Sequence, residues 1–490
     1  MTLIRRSLAY SVADSYVSLL LQLASTVIIS RLLTPEQTGV FAVAAVFAAL
    51  ASTFRDFGVA EYLIQEKELD TSRIRAALAV NIAISWTMGA ALFFGAPFAA
   101  GFYRNAGIGD VMRVQAFNFL LIPFGAVTMA YFRRELSFRP IFIASLLANI
   151  TAFIVSVACA WHGFGYMSLA WSSLTGVAVT VAVSVWFRPA GFPRWPGLAG
   201  IGRVVHFGKH ATGIYVFGQL GKGAPEMIIG RAENMVSVAF FSRANGLVEI
   251  FHRLVMRAVM PVCLPYFAQS KREPESLRRA YLTGVSYLTA IGWPFLLFMG
   301  IASYAAIRIV YGRQWMASVP LAQILCAAGS VELVYYLAKE VLLSVGEARQ
   351  SNLLQMGIQG CLIAGLLVVV PFGLEGACWG VLAATIAGAW LSHRQLARAI
   401  GLTAAEVLKS CLPSLYLALL SAAPVALWAA VEPISESNHL YFGLGGGAMT
   451  AVAWLICLRL LGHPLWQEVL SLWRLLPLKR RGALPPTMHD

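Results

Sequence analysis

Charge is what this chain has least of. Only 12% of its 490 residues are Asp, Glu, Lys or Arg, while 59% are hydrophobic. A water-soluble protein carries about 25% charged residues, so a surface of this composition cannot be solvated. The chain belongs in a bilayer, which excludes a large soluble catalytic domain. The five aspartates (Asp14, Asp56, Asp70, Asp110, Asp490) never form a DxD pair, which removes a sugar-nucleotide metal site of that type. Neither Gly-Lys pair, Gly208-Lys209 or Gly221-Lys222, is followed by Ser or Thr, so there is no P-loop for ATP. HExxH, CxxC and clustered histidines are absent too. The seven cysteines (Cys159, Cys263, Cys326, Cys361, Cys378, Cys411, Cys457) are scattered, mostly within apolar runs, and read as small buried hydrophobes. No metal or cofactor is expected.

What the chain does have is long uncharged runs. Residues 76–103, 281–307, 410–431 and 438–458 contain no charged side chain, and each is the length of one membrane-spanning helix. The run 140–187 is 48 residues, too long for one span, and is expected to turn back at His162-Gly163-Phe164-Gly165. Barrel strands alternate apolar and polar positions; these runs do not. Arg5 and Arg6 precede an apolar segment reaching Ser30, longer than a signal-peptide core and therefore read as a retained first span. The expected fold is an all-α polytopic membrane protein of about fourteen helices, at 9–30, 38–54, 76–98, 111–130, 141–161, 165–187, 211–230, 235–265, 281–307, 317–345, 352–370, 375–392, 411–431 and 440–461.

The net charge of +14 has a topological explanation. With the N-terminus in the cytoplasm, inside segments hold 25 Lys and Arg and outside loops hold five (Arg31, Arg104, Arg231, Arg308, Arg313), the asymmetry of a positive-inside protein. Both termini are expected to be cytoplasmic, and no nucleic-acid partner is needed. The longest connection, 188–210, carries Pro189, Pro193 and Pro196 among Gly191, Gly197, Gly200 and Gly202 and reads as a cytoplasmic linker. It divides a six-helix lobe (1–187) from a second six-helix lobe (211–392), followed by two further helices (411–461) and a cytoplasmic tail (462–490). At an offset of 200, Ile28-Ile29-Ser30-Arg31 faces Ile228-Ile229-Gly230-Arg231, and Phe41 and Ala44 face Phe241 and Ala244. Six helices separate the two starts, so the lobes would form a parallel pseudo-two-fold repeat around a central site.

Several segments have a reading beyond helix ends. In Arg31-Leu32-Leu33-Thr34-Pro35-Glu36-Gln37-Thr38-Gly39-Val40-Phe41, Thr34 is placed to cap a helix starting at Pro35. The same stretch resembles the R-LTP-E-x-G-x-[YF] signature of the polysaccharide transporter, or Wzx-type flippase, family of the multidrug/oligosaccharidyl-lipid/polysaccharide exporter superfamily. Asp56-Phe57-Gly58-Val59 with Leu63-Ile64-Gln65 is similar to the family's stretch after the second helix, and Arg133-Arg134-Glu135-Leu136-Ser137-Phe138 to its basic loop after the fourth. Ile229-Gly230-Arg231 with Phe240-Phe241-Ser242-Arg243-Ala244 resembles its IGR…GxYSRA region, with Ala239 and Phe241 in place of the common Gly and Tyr. Tyr311-Gly312-Arg313-Gln314-Trp315 resembles its G-x-x-W turn. The resemblance implies movement of undecaprenyl-pyrophosphate-linked oligosaccharide repeat units across the bacterial inner membrane, for exopolysaccharide, capsule or O-antigen, with a polysaccharide polymerase and export machinery as partners. It also implies ion coupling, to protons or sodium. The alternatives are a peptidoglycan-precursor or small-molecule exporter of the same superfamily, and an integral-membrane polysaccharide polymerase or ligase. Those enzymes need a sizeable external loop, and no expected outside connection exceeds about 15 residues.

A charge at mid-bilayer costs about 2.5–3.5 kcal/mol, so charges inside helices must face protein or a wet cavity. Five cations qualify: Lys222, Arg243, Arg253, Arg257 and Lys339. Glu249, Arg253 and Arg257 follow at i, i+4 and i+8, with Asn245 and His252 extending the stripe. One reading is self-pairing and snorkelling; the other is a cationic cavity gripping pyrophosphate oxygens bidentately. Lys222 and Glu226 pair at i, i+4 among Gly218, Gly221, Gly223 and Pro225, either as a broken, hinge-forming helix or as a closely packed one. Glu332, Tyr336, Lys339 and Glu340 share roughly one face. Asp14, alone in the first helix, is a candidate for coupling, with Glu226, Glu249, Glu332 and Glu340 as charge partners or coupling groups. Gly376 and Gly380 have GxxxG spacing and read as helix packing.

Overall fold

Helix starts follow from local chemistry. Thr34 accepts the amide of Gln37 while the Gln37 side chain reaches back to the Thr34 amide, a complete capping box with Pro35 in the first turn. Asp70, Asn105, Asn234 and Thr403 cap four later helices in the same way through side-chain oxygens. The protein was analysed as a computed structural model, which describes residues 2–475 except 57, 67–68, 257–258, 260–262, 264–265, 268 and 270–273. The side chains of 2–9, 11–12, 207–217, 254, 274 and 472–475 are likewise left aside. Before the Pro/Gly connection come α1 (Thr2–Leu32), α2 (Pro35–Arg55), α3 (Val59–Gln65), α4 (Thr71–Tyr103), α5 (Ala106–Arg134), α6 (Phe138–Trp161) and α7 (Met167–Trp186). After it come α8 (Ile201–Ala232), α9 (Met235–Phe251), α10 (Pro274–Ile301), α11 (Ser303–Val310), α12 (Ser318–Tyr335) and α13 (Ala338–Ser344). The chain continues through α14 (Ala348–Val369), α15 (Gly373–Ile400), α16 (Ala404–Val431), α17 (His439–Leu460) and α18 (Leu465–Leu475). No strand occurs among the described residues.

This is an all-α, multi-pass membrane protein. Eleven segments of the described residues are long and apolar enough to cross a bilayer, fewer than the fourteen expected. Part of the difference is that one segment, Ala348–Ile400, comprises two helices, α14 and α15. The charged α8 and the 17-residue α9 are not among the eleven. The turn expected at 162–165 is present, with Gly163 and Gly165 in left-handed conformations (φ 82° and 55°) between α6 and α7. Trp161 ends α6 and Trp186 ends α7, both exposed, at opposite ends of a helix about 30 Å long, where interfacial aromatics sit.

Four expected elements differ, the first being 281–307, which is interrupted at Ala302 between α10 and α11. The segment 211–230, read as one possible broken helix, is the continuous C-terminal part of α8, which starts at Ile201 inside the expected linker. Gly221 and Gly223 serve close packing: a Cβ there would fall on the Gln359 amide of α14 and on Val46 of α2. The segment 235–265 is α9 only to Phe251, then a π-turn over His252–Met256; Arg257 lies outside the described residues. The segment 317–345 is interrupted at Tyr336-Leu337, between α12 and α13. The GxxxG reading holds, since Gly380 approaches the Gly365 carbonyl of α14.

The offset of 200 recurs in the helix boundaries. α1 ends at Leu32 and α8 at Ala232; α2 starts at Pro35 and α9 at Met235; Thr34 and Asn234 are their caps. α2 and α9 also pack on each other, with α8 beside them. Gly39 makes the approach possible, because a Cβ there would fall on the Met235 carbonyl. α1 packs on α6, α4 on α5 and α6 on α7; on the other side, α10 packs on α12 and α16, and α12 on α15.

Candidate functional site

A cavity of about 610 Å³ lies where α1, α2, α6 and α7 face α9. Its wall mixes apolar side chains with hydroxyls and amides: Ser18, Gln22, Ser25 and Thr26 from α1, Thr38 from α2, Asn149 from α6, Ser172 from α7 and Ser242 from α9. Among the described residues, one charged side chain lines it, Arg243 of α9. A second space of about 400 Å³ shares Phe41, Asn149, Ala152, Leu169 and Ser172 with the first and continues along α7 past Ser173 and Gly176 to Thr180. Polar groups in the wall hold one another: Asn149 Nδ2 donates to Ser18 Oγ at 2.9 Å, and Asn118 Nδ2 to Ser173 Oγ at 3.1 Å. Asp14 hydrogen-bonds Ser18 and Ser145 just beyond this wall, with Arg133 in electrostatic reach.

At the end of the molecule where arginine is scarce, the cavity is shut. Arg31 donates to the Ile309 carbonyl at 2.7 Å, Gln314 Nε2 to the carbonyls of Ser30 and Leu33 at 2.5 and 2.9 Å, and Trp315 Nε1 to Ser30 at 2.7 Å. The turn after α11 thereby clamps the end of α1. Arg243 lies directly beneath, its guanidinium carbon 5.1 Å from the Tyr311 ring centre and 4.9 Å from that of Trp315. Its Nε is buried with no hydrogen-bond acceptor among the described residues.

The other charged residues gather on the second half. Glu332 of α12 is within electrostatic reach of His252, Glu249 and Lys222, and Glu226 within reach of Glu249. One Glu226 carboxylate oxygen is buried and unpaired among the described residues. This cluster sits where two helices lose regularity: His252 opens the π-turn of α9, its ring 5.3 Å from that of Tyr336 at the α12–α13 break. π-turns recur at functional positions.

The expected cations are therefore distributed. Arg243 lines the cavity. Arg253 pairs with Glu249 at 3.8 Å and donates to Gln22 of the cavity wall at 3.3 Å. Lys222 is exposed to the carboxylate cluster, and Lys339 is the electrostatic neighbour of Glu340 on α13. Sequence reading missed Gln22, Asn149 and Ser172, which are unremarkable in a helix until three helices converge. It also missed Tyr311 and Trp315 as partners of Arg243, although both lie in the turn it singled out.

Solved structures share this helical fold. The chain superposes on "Lipid II flippase MurJ, inward closed conformation" with a TM-score of 0.72 at 12% identity, over 94% of this chain and 100% of that one. It superposes on an inward-facing multidrug resistance MATE family transporter of the MOP superfamily with a TM-score of 0.62 at 14% identity, over 78% and 94%. Residues 28–320 match the family model described as "Polysaccharide biosynthesis protein", and the chain belongs to that family. Lipopolysaccharide biosynthesis protein WzxC of Escherichia coli (strain K12) is 24% identical over 64% of each chain. Teichuronic acid biosynthesis protein TuaB of Bacillus subtilis (strain 168) is 23% identical over 60% of this chain and 61% of its own. Succinoglycan biosynthesis transport protein ExoT of Rhizobium meliloti (strain 1021) is 23% identical over 67% and 66%. The matched region thus spans less than two thirds of the length of these relatives.

Proposed function

We propose that the protein moves lipid-linked oligosaccharide repeat units, carried on a polyprenyl pyrophosphate, across the bacterial inner membrane for surface-polysaccharide synthesis, and that it does so as a transporter and not as an enzyme. The observation that carries this reading is the cavity: the hydroxyls and amides among its lining residues suit sugar hydroxyls, and Arg243 suits phosphate oxygens. A pyrophosphate cannot cross hydrocarbon unaided, whereas a polar cavity substitutes for its water. The polyprenyl tail stays in lipid. In this account both termini are cytoplasmic, the shut, arginine-poor end faces outward, and the two six-helix lobes rock against each other at the α2–α9 contact. A polymerase and export machinery receive the product.

Coupling to protons or sodium is assigned to the carboxylates Glu226, Glu249 and Glu332 with His252 and Lys222, and secondarily to Asp14. The cationic set of Arg243, Arg253 and Arg257, with Lys222 and Lys339, serves the head group on its way in. The reading is tested by filling the cavity. Asn149→Leu with Ser172→Leu is expected to stop polymer export and to accumulate the lipid-linked intermediate on the cytoplasmic face, with membrane insertion unchanged. Arg253→Ala and Arg257→Ala are expected to do the same. Normal export in correctly inserted variants would reject the site.

A further inference from the structure

We propose that a phosphate anion entering the cavity draws the Arg243 guanidinium away from the Tyr311 and Trp315 rings, and that this loosens the closure which Trp315 holds. The inference rests on the reading of the cavity as a head-group site. Arg253, Arg73, Arg278 and Arg313 each have a carboxylate partner. Arg243 has none among the described residues; its charge is met by two aromatic faces. Ring faces attract a cation through their quadrupole alone, whereas phosphate offers charge-assisted, bidentate hydrogen bonds, including one for the unpartnered Nε.

Trp315 connects that exchange to the closure. Its side chain is fully buried, its N–H holds the Ser30 carbonyl at the end of α1, and its ring meets Phe240 edge-on at 6.1 Å on α9. One residue thus touches the guanidinium, the second-half helix and the first-half helix end. Withdrawing the guanidinium opens space beside a ring that is otherwise close-packed; the ring relaxes into it, and the hydrogen bond to Ser30 is the contact that yields. Tyr311 and Trp315 are positioning residues for Arg243, and head-group charge becomes the signal that releases the outward end.

The test is hydrogen exchange of the full chain in nanodiscs, followed at residues 29–38 and 311–318, with a polyprenyl pyrophosphate, inorganic pyrophosphate or uncharged polyprenol. Probe retention is measured in the same samples. The lipid-linked pyrophosphate is expected to raise exchange in both segments several-fold and polyprenol to leave it unchanged. A response to inorganic pyrophosphate shows that phosphate alone suffices; a response to the lipid form only assigns the signal to the lipid head group. Arg243→Ala, which removes the guanidinium from the rings, is expected to exchange fast in both segments without any probe and to show no further response, and Arg243→Lys to restore part of the probe dependence. Trp315→Phe, which keeps a ring but no N–H, is expected to exchange fast at 29–38 without any probe. Retained pyrophosphate with unchanged exchange, or wild-type behaviour of Trp315→Phe, overturns the coupling while leaving the head-group reading intact; absence of retention overturns both.

Discussion

At the residue scale, contact geometry decides which polar side chains matter. Gly39 is intolerant of any side chain because the space of its Cβ is occupied by the backbone of Met235, and backbone cannot step aside. Gly39→Ala is expected to lose at least the 1–3 kcal/mol typical of overpacking, visible as reduced yield of folded protein in detergent and a lower unfolding temperature. His463 shows the opposite case, a buried group that is satisfied. Its Nδ1 accepts the Leu465 amide at 3.2 Å, so Nε2 carries the proton toward Ser286 and Ser414 at 3.2 and 3.3 Å. Burial holds the imidazole below its usual 6.5. At the other end of the same helix pair, Glu432 accepts from Tyr441, Trp428 and Asn438, which hold its carboxyl below 4.5. Both groups are less readily protonated in the folded state than in the unfolded one. Their stabilisation is therefore complete above the unfolded values and is lost as pH falls, below about 6.5 for His463 and below about 4.5 for Glu432. Proteolysis between α17 and α18 is expected to accelerate from pH 7.5 to 5.5 in the wild type but not in His463→Gln; equal acceleration in both would reject the assignment.

At the element scale, periodicity located the helices and could not locate their interruptions. Among the described residues the expected segments fall on helix apart from a few interruptions, because uncharged runs of helix length leave no other way to satisfy the backbone in lipid. The cap at Thr34 was legible because Thr-Pro-Glu-Gln contains its own partners. The π-turn at His252–Met256 and the break at Tyr336-Leu337 were not legible: neither contains Gly or Pro, and both arise where His252 and Tyr336 meet across helices. Gly221 and Gly223 of α8, part of the stretch that suggested a break, instead allow contact with α14 and α2. The paired caps Thr34 and Asn234 offer a test of the repeat. Thr34→Ala and Asn234→Ala are each expected to cost about 1 kcal/mol, measured as denaturant midpoints, and a cost confined to one cap would show that the equivalent positions do not carry equivalent load.

At the scale of the whole molecule, the sparse charges fall into three populations. Most of the basic residues lie outside the expected spans, and their uneven distribution is the basis for the expected orientation. A second set, on α8, α9 and α12, forms a mixed carboxylate and cation cluster rather than a purely basic lining. The third is Arg243, the one charge that lines the cavity among the described residues. Sequence could select all of these residues because each costs too much to face lipid. It could not sort them, since the sorting depends on which helices converge. The most direct test of the account is transfer of a fluorescent lipid-linked oligosaccharide in proteoliposomes, scored by access of a membrane-impermeant glycosidase. The account predicts protein-dependent transfer that Asn149→Leu with Ser172→Leu abolishes; transfer no faster than in protein-free liposomes, or unaffected by filling the cavity, would contradict it.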